Sequence, residues 1–399
     1  MRISTKTIFE QGVQGLQRNQ ANALKTQQQL STGRRILTPA DDPIGSAQAL
    51  QLSQADGVNT QFGVNRSQAQ SQLEVTEASL KQVGDLIQSI RERAVAGGDG
   101  ALTPSDLKSI AADVSAMFEE LVGVGNGTDG AGNYLFSGFQ GSTQPFVRNA
   151  AGTVQFVGDD GQRLAQVGAS RQIASNASGA DVFERMRTGN GTFTWDATAG
   201  NTGSGIIGPG TVVTPALVTG HNYQINFTVA AGVTTFDVVD TTAATTVLAA
   251  QPYSSPATVI AFDGISVNIE GSPANGDSFT VSPSSSQSVF TTVQNLIAAL
   301  NGGKGTPLAN SLGIALTNLD QALDQVLGQR ASIGSHLKEL DSLGSAGDDL
   351  GLQYKSAISH IQDVDYAKAI SDLTLEQTNL EAARQSFLKI TQTTLFDYL

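Results

Sequence analysis

Apolar residues recur in alternating steps of four and three near both ends of this chain, and the two runs are matched in length. The first passes through Phe9, Val13, Leu16, Gln20, Ala23, Gln27 and Leu30. The second passes through Ile370, Leu373, Leu380, Ala383, Phe387 and Ile390, with Gln377 filling its gap and Asp365 placed to cap it. That spacing predicts one coiled-coil seam in each, on helices roughly 40–45 Å long at ~1.5 Å per residue. No adjacent segment covers either stripe, so the two are expected to pair antiparallel, with another copy as the alternative partner. Gln20 and Gln27 are expected to weaken the seam while fixing its register, because a buried amide must find a partner. The second run ends on Leu395, Phe396, Tyr398 and Leu399, an apolar stretch where most chain ends are polar, and Leu395 and Phe396 are expected to be buried as well.

Inside these ends lies a second matched pair. Gly33 is suited to ending the first helix, and Asp42-Pro43 to starting the next, with Asp as N-cap and Pro at the first helical position. Asp41, Asp42 and Pro43 therefore mark a joint between domains. A long seam follows from Leu52 through Phe62, Leu73, Leu80, Ile87 and Ile90 to Ala94, stopping at Gly97-Gly98. Its counterpart runs from Thr306 through Leu319, Val326, Ile333 and Leu340, then resumes at Leu350 and continues to Val364. Shorter helices are predicted after Thr103-Pro104-Ser105-Asp106 and after Ser288.

Between them the period changes to two. Tyr223, Ile225, Phe227 and Val229 alternate, as do Ile265, Val267 and Ile269, and Phe279 with Val281. Thr153 to Val157 and Arg163 to Val167 flank Asp159-Asp160-Gly161, which reads as a hairpin turn. The Gly- and Thr-rich stretch 188–210 reads as loop. The fold class is therefore mainly α with a β insertion: discontinuous N- and C-terminal helices in an elongated coiled-coil or helical bundle, plus an outer β-rich domain. The expected divisions are 1–35 with 366–399 for the terminal coiled coil, 36–180 with 286–365 for the long-helix bundle, and 181–285 for the β-rich domain.

Composition narrows the function. Charged residues are 15% of the chain, against ~25% in ordinary globular proteins, and net charge is −13. That surface argues against nucleic acid, whose binding rests on Lys and Arg, and gives a membrane no basic face. The chain has no Cys, which removes disulfides and thiolate chemistry. GxGxxG occurs at Gly125, Gly127 and Gly130, but after a helix rather than a strand, the wrong context for a dinucleotide. The Lys304 region lacks the first Gly of a phosphate loop, having Ala298 there. His221, His336 and His360 have no ligand-spaced neighbours, and no nucleophile motif accompanies them. No catalytic residue, metal ligand or cofactor site is assigned. The N-terminal segment has no apolar run of signal-peptide length and no segment approaches a membrane span, so the expectation is a cytosolic protein or one exported without a cleaved signal peptide.

Several stretches carry a specific resemblance: RIST at residues 2–5, QLSTGRRILTPADDP at 29–43, GNYLFSGF at 132–139, DVDYAKAI at 363–370 and SFLKITQTTLFDYL at 386–399. Together they resemble the bacterial flagellin superfamily, and within it the branch found at the hook-filament junction rather than the filament subunits. The resemblance implies a secreted, non-enzymatic structural protein exported unfolded and assembling as a homo-oligomeric helical layer. Its implied partners are the first hook-associated protein below, flagellin above, and a flagellar export chaperone. The chaperone's implied docking region is C-terminal, on the face of Leu373, Leu380 and Phe387. Filament flagellin remains an alternative, as does a secreted enzyme or adhesin displayed by the β insertion.

Overall fold

The computed structural model describes residues 5–392. Six helices frame the chain: α1 (Thr5–Thr32), α2 (Pro43–Gly97), α3 (Pro104–Gly125), α4 (Val289–Asn301), α5 (Thr306–Gln362) and α6 (Tyr366–Gln392). Two compact units result, one from residues 1–64 and 342–399, the other from residues 65–341, and α2 and α5 contribute residues to both.

In the second unit the α2 seam is buried without interruption at Leu73, Thr76, Leu80, Val83, Ile87, Ile90 and Ala94. From α5, Leu319, Val326, Ile333 and Leu340 are buried likewise. Leu323 and Val326 approach Gly84 so closely that a Cβ there would lie 3.9 Å from each. Two ion pairs bracket this contact, Arg91 to Asp320 at 2.6 Å and Arg330 to Glu77 at 2.7 Å.

The sequence expected α5 to pause after Leu340 and resume at Leu350, whereas it is one helix of 57 residues. Two glycines of this stretch lie at a helix-to-helix contact. In the first unit Asn59 Nδ2 donates to the Gly347 carbonyl at 2.7 Å, and a Cβ on Gly351 would meet the same amide at 3.3 Å.

α3 begins with a complete capping box. Thr103 accepts from the Asp106 amide, and Asp106 accepts from that of Thr103, which satisfies two otherwise orphan donors. It packs on α4, whose N-cap is Ser288, and Phe118 meets Phe290 edge to face at 6.2 Å. Phe290 also stacks on Phe183 at 5.5 Å and lies 5.1 Å from Phe146. Phe146 comes from β1 (Phe146–Arg148), which pairs with β2 (Val154–Phe156).

That pairing corrects the expected hairpin at Asp159-Asp160-Gly161. β2 turns back onto β1 through Asn149 to Thr153, while β3 (Leu164–Gly168) pairs with β4 (Arg171–Ala174). Asp159 instead accepts from the amides of Phe139 and Gly161, and Asp160 pairs with Arg185. These carboxylates anchor neighbouring loops, and the Asp-Gly signal was local chemistry of another kind.

β5 (Met186–Arg187) pairs with a late strand, β15 (Ser286–Gln287), closing the base of the β-rich part. There, β6 (Phe193–Ala197), β9 (Tyr223–Ala230), β10 (Val233–Asp240), β11 (Thr245–Pro252) and β14 (Ser278–Pro283) form one sheet in the order β11-β10-β9-β14-β6. β7 (Ile206–Ile207), β12 (Ala257–Phe262) and β13 (Ile265–Glu270) form another in the order β12-β13-β7, with β8 (Thr211–Val212) also on β13. Phe193, Trp195, Ile225, Phe227 and Phe279 from the first sheet share one core with Ile260, Phe262, Val267 and Ile269 from the second, the burial pattern of a sandwich. The stretch 188–210, expected to be loop, thus holds β6 and β7. Phe193 and Trp195 are 3% and 2% exposed, and burying two aromatics two residues apart outweighs the flanking Gly and Thr.

Truncating Phe290 to Ala, at the meeting point of four aromatic rings, is expected to destabilise the second unit by about 3–5 kcal/mol. Lys81→Ala on the exposed side of α2 should change stability by less than about 0.5 kcal/mol, and chemical denaturation of the two variants checks both.

Candidate assembly interface

α1 and α6 lie against each other, antiparallel. Phe9 and Phe387 meet with ring centroids 5.2 Å apart, and Gly12 fits beneath Phe387 so tightly that a Cβ would come within 2.7 Å of the ring. Counting inward from that contact at equal rise along both helices puts Leu16 level with Leu380 and Ala23 level with Leu373.

The α1 seam runs in a different phase from the one expected. Val13, Leu16, Ala23 and Leu30 are half-buried, but Gln20 and Gln27 face solvent. Their places are taken by Asn19, half-buried, and Thr26, 8% exposed. Shorter side chains let the helices come close, while a Gln reaches water easily from either flank. On α6 the inward positions are Ala369, Leu373, Glu376, Leu380, Ala383 and Phe387. Ile370 is 57% exposed and lies beside the seam, and Glu376 takes the place expected for Gln377. Ile390, as a side chain, and Leu395 and Phe396 lie outside the described residues.

Polar groups make this pair weak. Oε2 of Glu376 is buried without a hydrogen-bond partner, and an unsatisfied buried oxygen costs about 1–3 kcal/mol or more if charged. Among the described residues of α1 and α6, only Thr26 and Ala369 are fully buried.

The joint is where the pair is held. Gly33 ends α1 at φ +71°, and its carbonyl accepts from the Val364 amide at 3.0 Å. The Arg35 amide donates to the Gln362 carbonyl at 2.6 Å, with Arg34 bridged to Asp363 between them. The Arg35 guanidinium donates to the Ile361 carbonyl at 2.7 Å and to Asp42 at 3.1 Å. Two turns distant in sequence, one between α1 and α2 and one between α5 and α6, are thereby laced together.

Asp41 and Asp42 divide the work. Asp42 caps α2 by accepting from the Gly45 amide at 2.9 Å, with Pro43 at the first helical position. Asp41 accepts from the Leu37 and Thr38 amides at 3.1 and 2.8 Å and pairs with Lys25 at 2.7 Å. The Lys25 ammonium, followed by the Thr38 amide, holds its carboxyl down from 3.8 to about 2. For Asp42, the Gly45 amide and then Arg35 lower it likewise. Asp365 caps α6 by accepting from the Lys368 amide at 3.1 Å. Lys25, Arg35 and the carbonyls of Ile361 and Gln362 went unassigned in the sequence, since backbone acceptors leave no residue-type signal.

The first unit leaves large apolar side chains uncovered: Phe9 is 51% exposed, Leu24 52%, Ile44 72%, Leu50 60%, Leu352 69% and Leu375 60%. These side chains, spread over α1, α2, α5 and α6, leave apolar surface against water in the single chain. Among the described residues no cluster of His, Cys, Asp and Glu fits a metal ion, and no helix is long and apolar enough to cross a membrane. His221 Nδ1 is engaged with Asp240 at 2.6 Å.

The family model described as "Bacterial flagellin N-terminal helical region" matches residues 3–141, and "Bacterial flagellin C-terminal helical region" matches 316–399. Residues 197–283 match "Flagellar hook-associated protein 1, D2-like domain". Over its whole length the chain is similar to flagellar hook-associated protein 3 of Escherichia coli, at 28% identity covering 99% of each. Among solved structures, FlgL of Xanthomonas campestris is 31% identical with a TM-score of 0.71, covering 77% of this chain and 99% of that one. The flagellar junction protein FlgL of Legionella pneumophila is 28% identical with a TM-score of 0.72, covering 79% and 100%. The chain belongs to the bacterial flagellin superfamily, in its hook-associated protein 3 branch.

Proposed function

We propose that this chain is a structural subunit of the bacterial flagellum that assembles at the hook-filament junction, an adaptor between a hook-associated layer below and the flagellin filament above. The observation that carries the reading is the half-covered seam of α1 and α6 with the exposed apolar residues around it. Only packing against further subunits removes that surface from water, and full-length likeness to hook-associated protein 3 says which assembly is meant. Likeness to filament flagellin extends over only 126 residues, 32% of this chain, which disfavours a filament subunit. We assign no catalytic step to it.

In this reading the terminal coiled coil is 1–35 with 366–399, the long-helix bundle is 36–180 with 286–365, and the variable β-rich domain is 181–285. Copies form a helical homo-oligomeric layer through heterologous contacts that present different faces upward and downward. The first hook-associated protein and flagellin are its neighbours. It leaves the cell through the flagellar export apparatus. Phe9, Val13, Leu16, Leu30, Leu373, Leu380 and Phe387 serve the terminal pair, and Gln20, Gln27 and Ile370, exposed in the single chain, face neighbouring copies. Asp41, Asp42 and Pro43 set the joint.

A strain lacking the chain is expected to build hooks yet release flagellin monomer into the medium; normal filaments in that strain would overturn the reading. Burying a Val, Leu or Phe side chain contributes about 1.5–3 kcal/mol at most, and half-burial less, whereas each ordered backbone residue costs about 1–2 kcal/mol. Hydrogen exchange in residues 5–32 and 366–392 is accordingly expected to be fast in the isolated monomer and slow in the assembled junction.

The export chaperone docks on Leu373, Leu380 and Phe387 in a helix-in-groove mode. Since these residues turn toward α1, chaperone and α1 compete for one face. Leu380→Glu with Phe387→Glu is expected to abolish chaperone binding in a pull-down with full-length protein, and retained binding would move the site elsewhere.

A further inference from the structure

The outer face of the larger sheet is polar where α5 passes it. On β6 and β14, Thr194 stands opposite Ser282 and Asp196 opposite Thr280, while the intervening Trp195 and Val281 are buried in the sandwich core. By alternation the four polar side chains point away from that core. A sheet face that packs on a helix is ordinarily apolar, but here a cleft of about 480 Å³ lies between the two. Its other wall includes Ser311, Ile314, Ala315 and Asn318 of α5, at the i, i+3, i+4, i+7 spacing of one helix face.

Asn318 is 6% exposed. Its Oδ1 accepts from the Gly189 amide at 2.8 Å, which fixes the orientation of the side chain. Its Nδ2 has no hydrogen-bond partner among the described residues and is not sealed from solvent, so this donor opens on the cleft that Asn318 lines. A buried side chain with an unanswered donor is costly until something enters to accept from it. The hydroxyls of Thr194, Ser282 and Ser311 are likewise without partners among the described residues. Asp196 forms no ion pair there and also lines an adjoining cavity of about 240 Å³.

The lining excludes most classes of ligand. It holds no Lys, Arg or His, so nothing balances a phosphate or a carboxylate. Its one carboxylate, Asp196, is too few for a divalent cation. Trp195 and Ala315 are only 2% and 5% exposed, which leaves little beyond Ile314 to hold an apolar molecule. What the cleft offers is a fixed donor, a carboxylate acceptor and hydroxyls that bond in either direction. We propose that it binds a neutral saccharide of about disaccharide size, whose hydroxyls accept from Asn318 Nδ2, donate to Asp196 and exchange hydrogen bonds with Thr194, Ser282 and Ser311. A net charge of −13 repels acidic glycans and leaves a neutral one unopposed.

The test titrates the full-length protein with maltose and with N,N′-diacetylchitobiose, read by saturation-transfer NMR of the sugar and by the emission of Trp195, which lines the cleft. Saturable binding of at least one sugar is expected. Asp196→Asn removes a charge at an exposed position with little change of shape, and is expected to weaken binding about tenfold. Asn318→Asp keeps the acceptor for Gly189 and loses the donor, with a loss of about the same size expected; should that variant not fold, Asp196→Asn and Ser282→Ala carry the comparison. Binding that the folded variants leave unchanged overturns the site. So does the absence of binding by both sugars, or a response to inorganic phosphate or tetramethylammonium in their place. None of these results bears on assembly at the junction.

Discussion

A pair of backbone hydrogen bonds, Val364 to Gly33 and Arg35 to Gln362, fixes where both terminal helices begin. Because the two turns are bonded to each other, α1 and α6 leave from one point and their registers are coupled from the first residue. The Phe9–Phe387 contact at the far end of the pair then follows from equal helical rise. Asp41 and Asp42 act one step further out, holding the chain in place for the lacing. Backbone groups bonded in this way are satisfied whatever the side chains do, so the joint persists even when the seam beyond it is poorly filled.

A poorly filled seam gains little by closing on its own. Asn19, Thr26 and Glu376 occupy inward positions where a stable coiled coil would place Leu or Ile. Their polarity limits what the pair gains from closing in isolation, and leaves the gain to be completed by neighbours. The second unit differs: its α2 seam is wholly apolar or hydrogen-bonded, and its aromatic cluster is closed. Stability is thus graded within one chain, high in residues 65–341 and low in the helices that make the junction, a distribution known for segments that order on assembly.

Much of this was legible in the sequence because helical periodicity survives averaging over long helices. The α2 seam from Leu73 to Ala94, the capping box at Thr103 and the alternation of β9, β13 and β14 read directly from residue spacing. The seam of α1 did not, since a run of small and polar residues supports two phases, and the burial of Thr26 rather than Gln27 depends on α6. The Asp159 turn failed for another reason. A carboxylate next to Gly can close a hairpin or anchor a distant loop, and only the partner, here the Phe139 amide, decides. β6 was hidden because composition over twenty residues diluted two aromatics. At the joint the determinants are main-chain carbonyls, to which residue identity is blind.

Trp195 is the single tryptophan of the chain, and it lies in the core between the two sheets. Its emission therefore reports on the sandwich and on nothing in α1 or α6. A spectroscopist following unfolding by tryptophan fluorescence would record the resistance of the β-rich part alone, while the helices that build the junction could melt and re-form unseen. Far-ultraviolet dichroism sees those helices, so disagreement between the two optical signals is a property of where one indole sits.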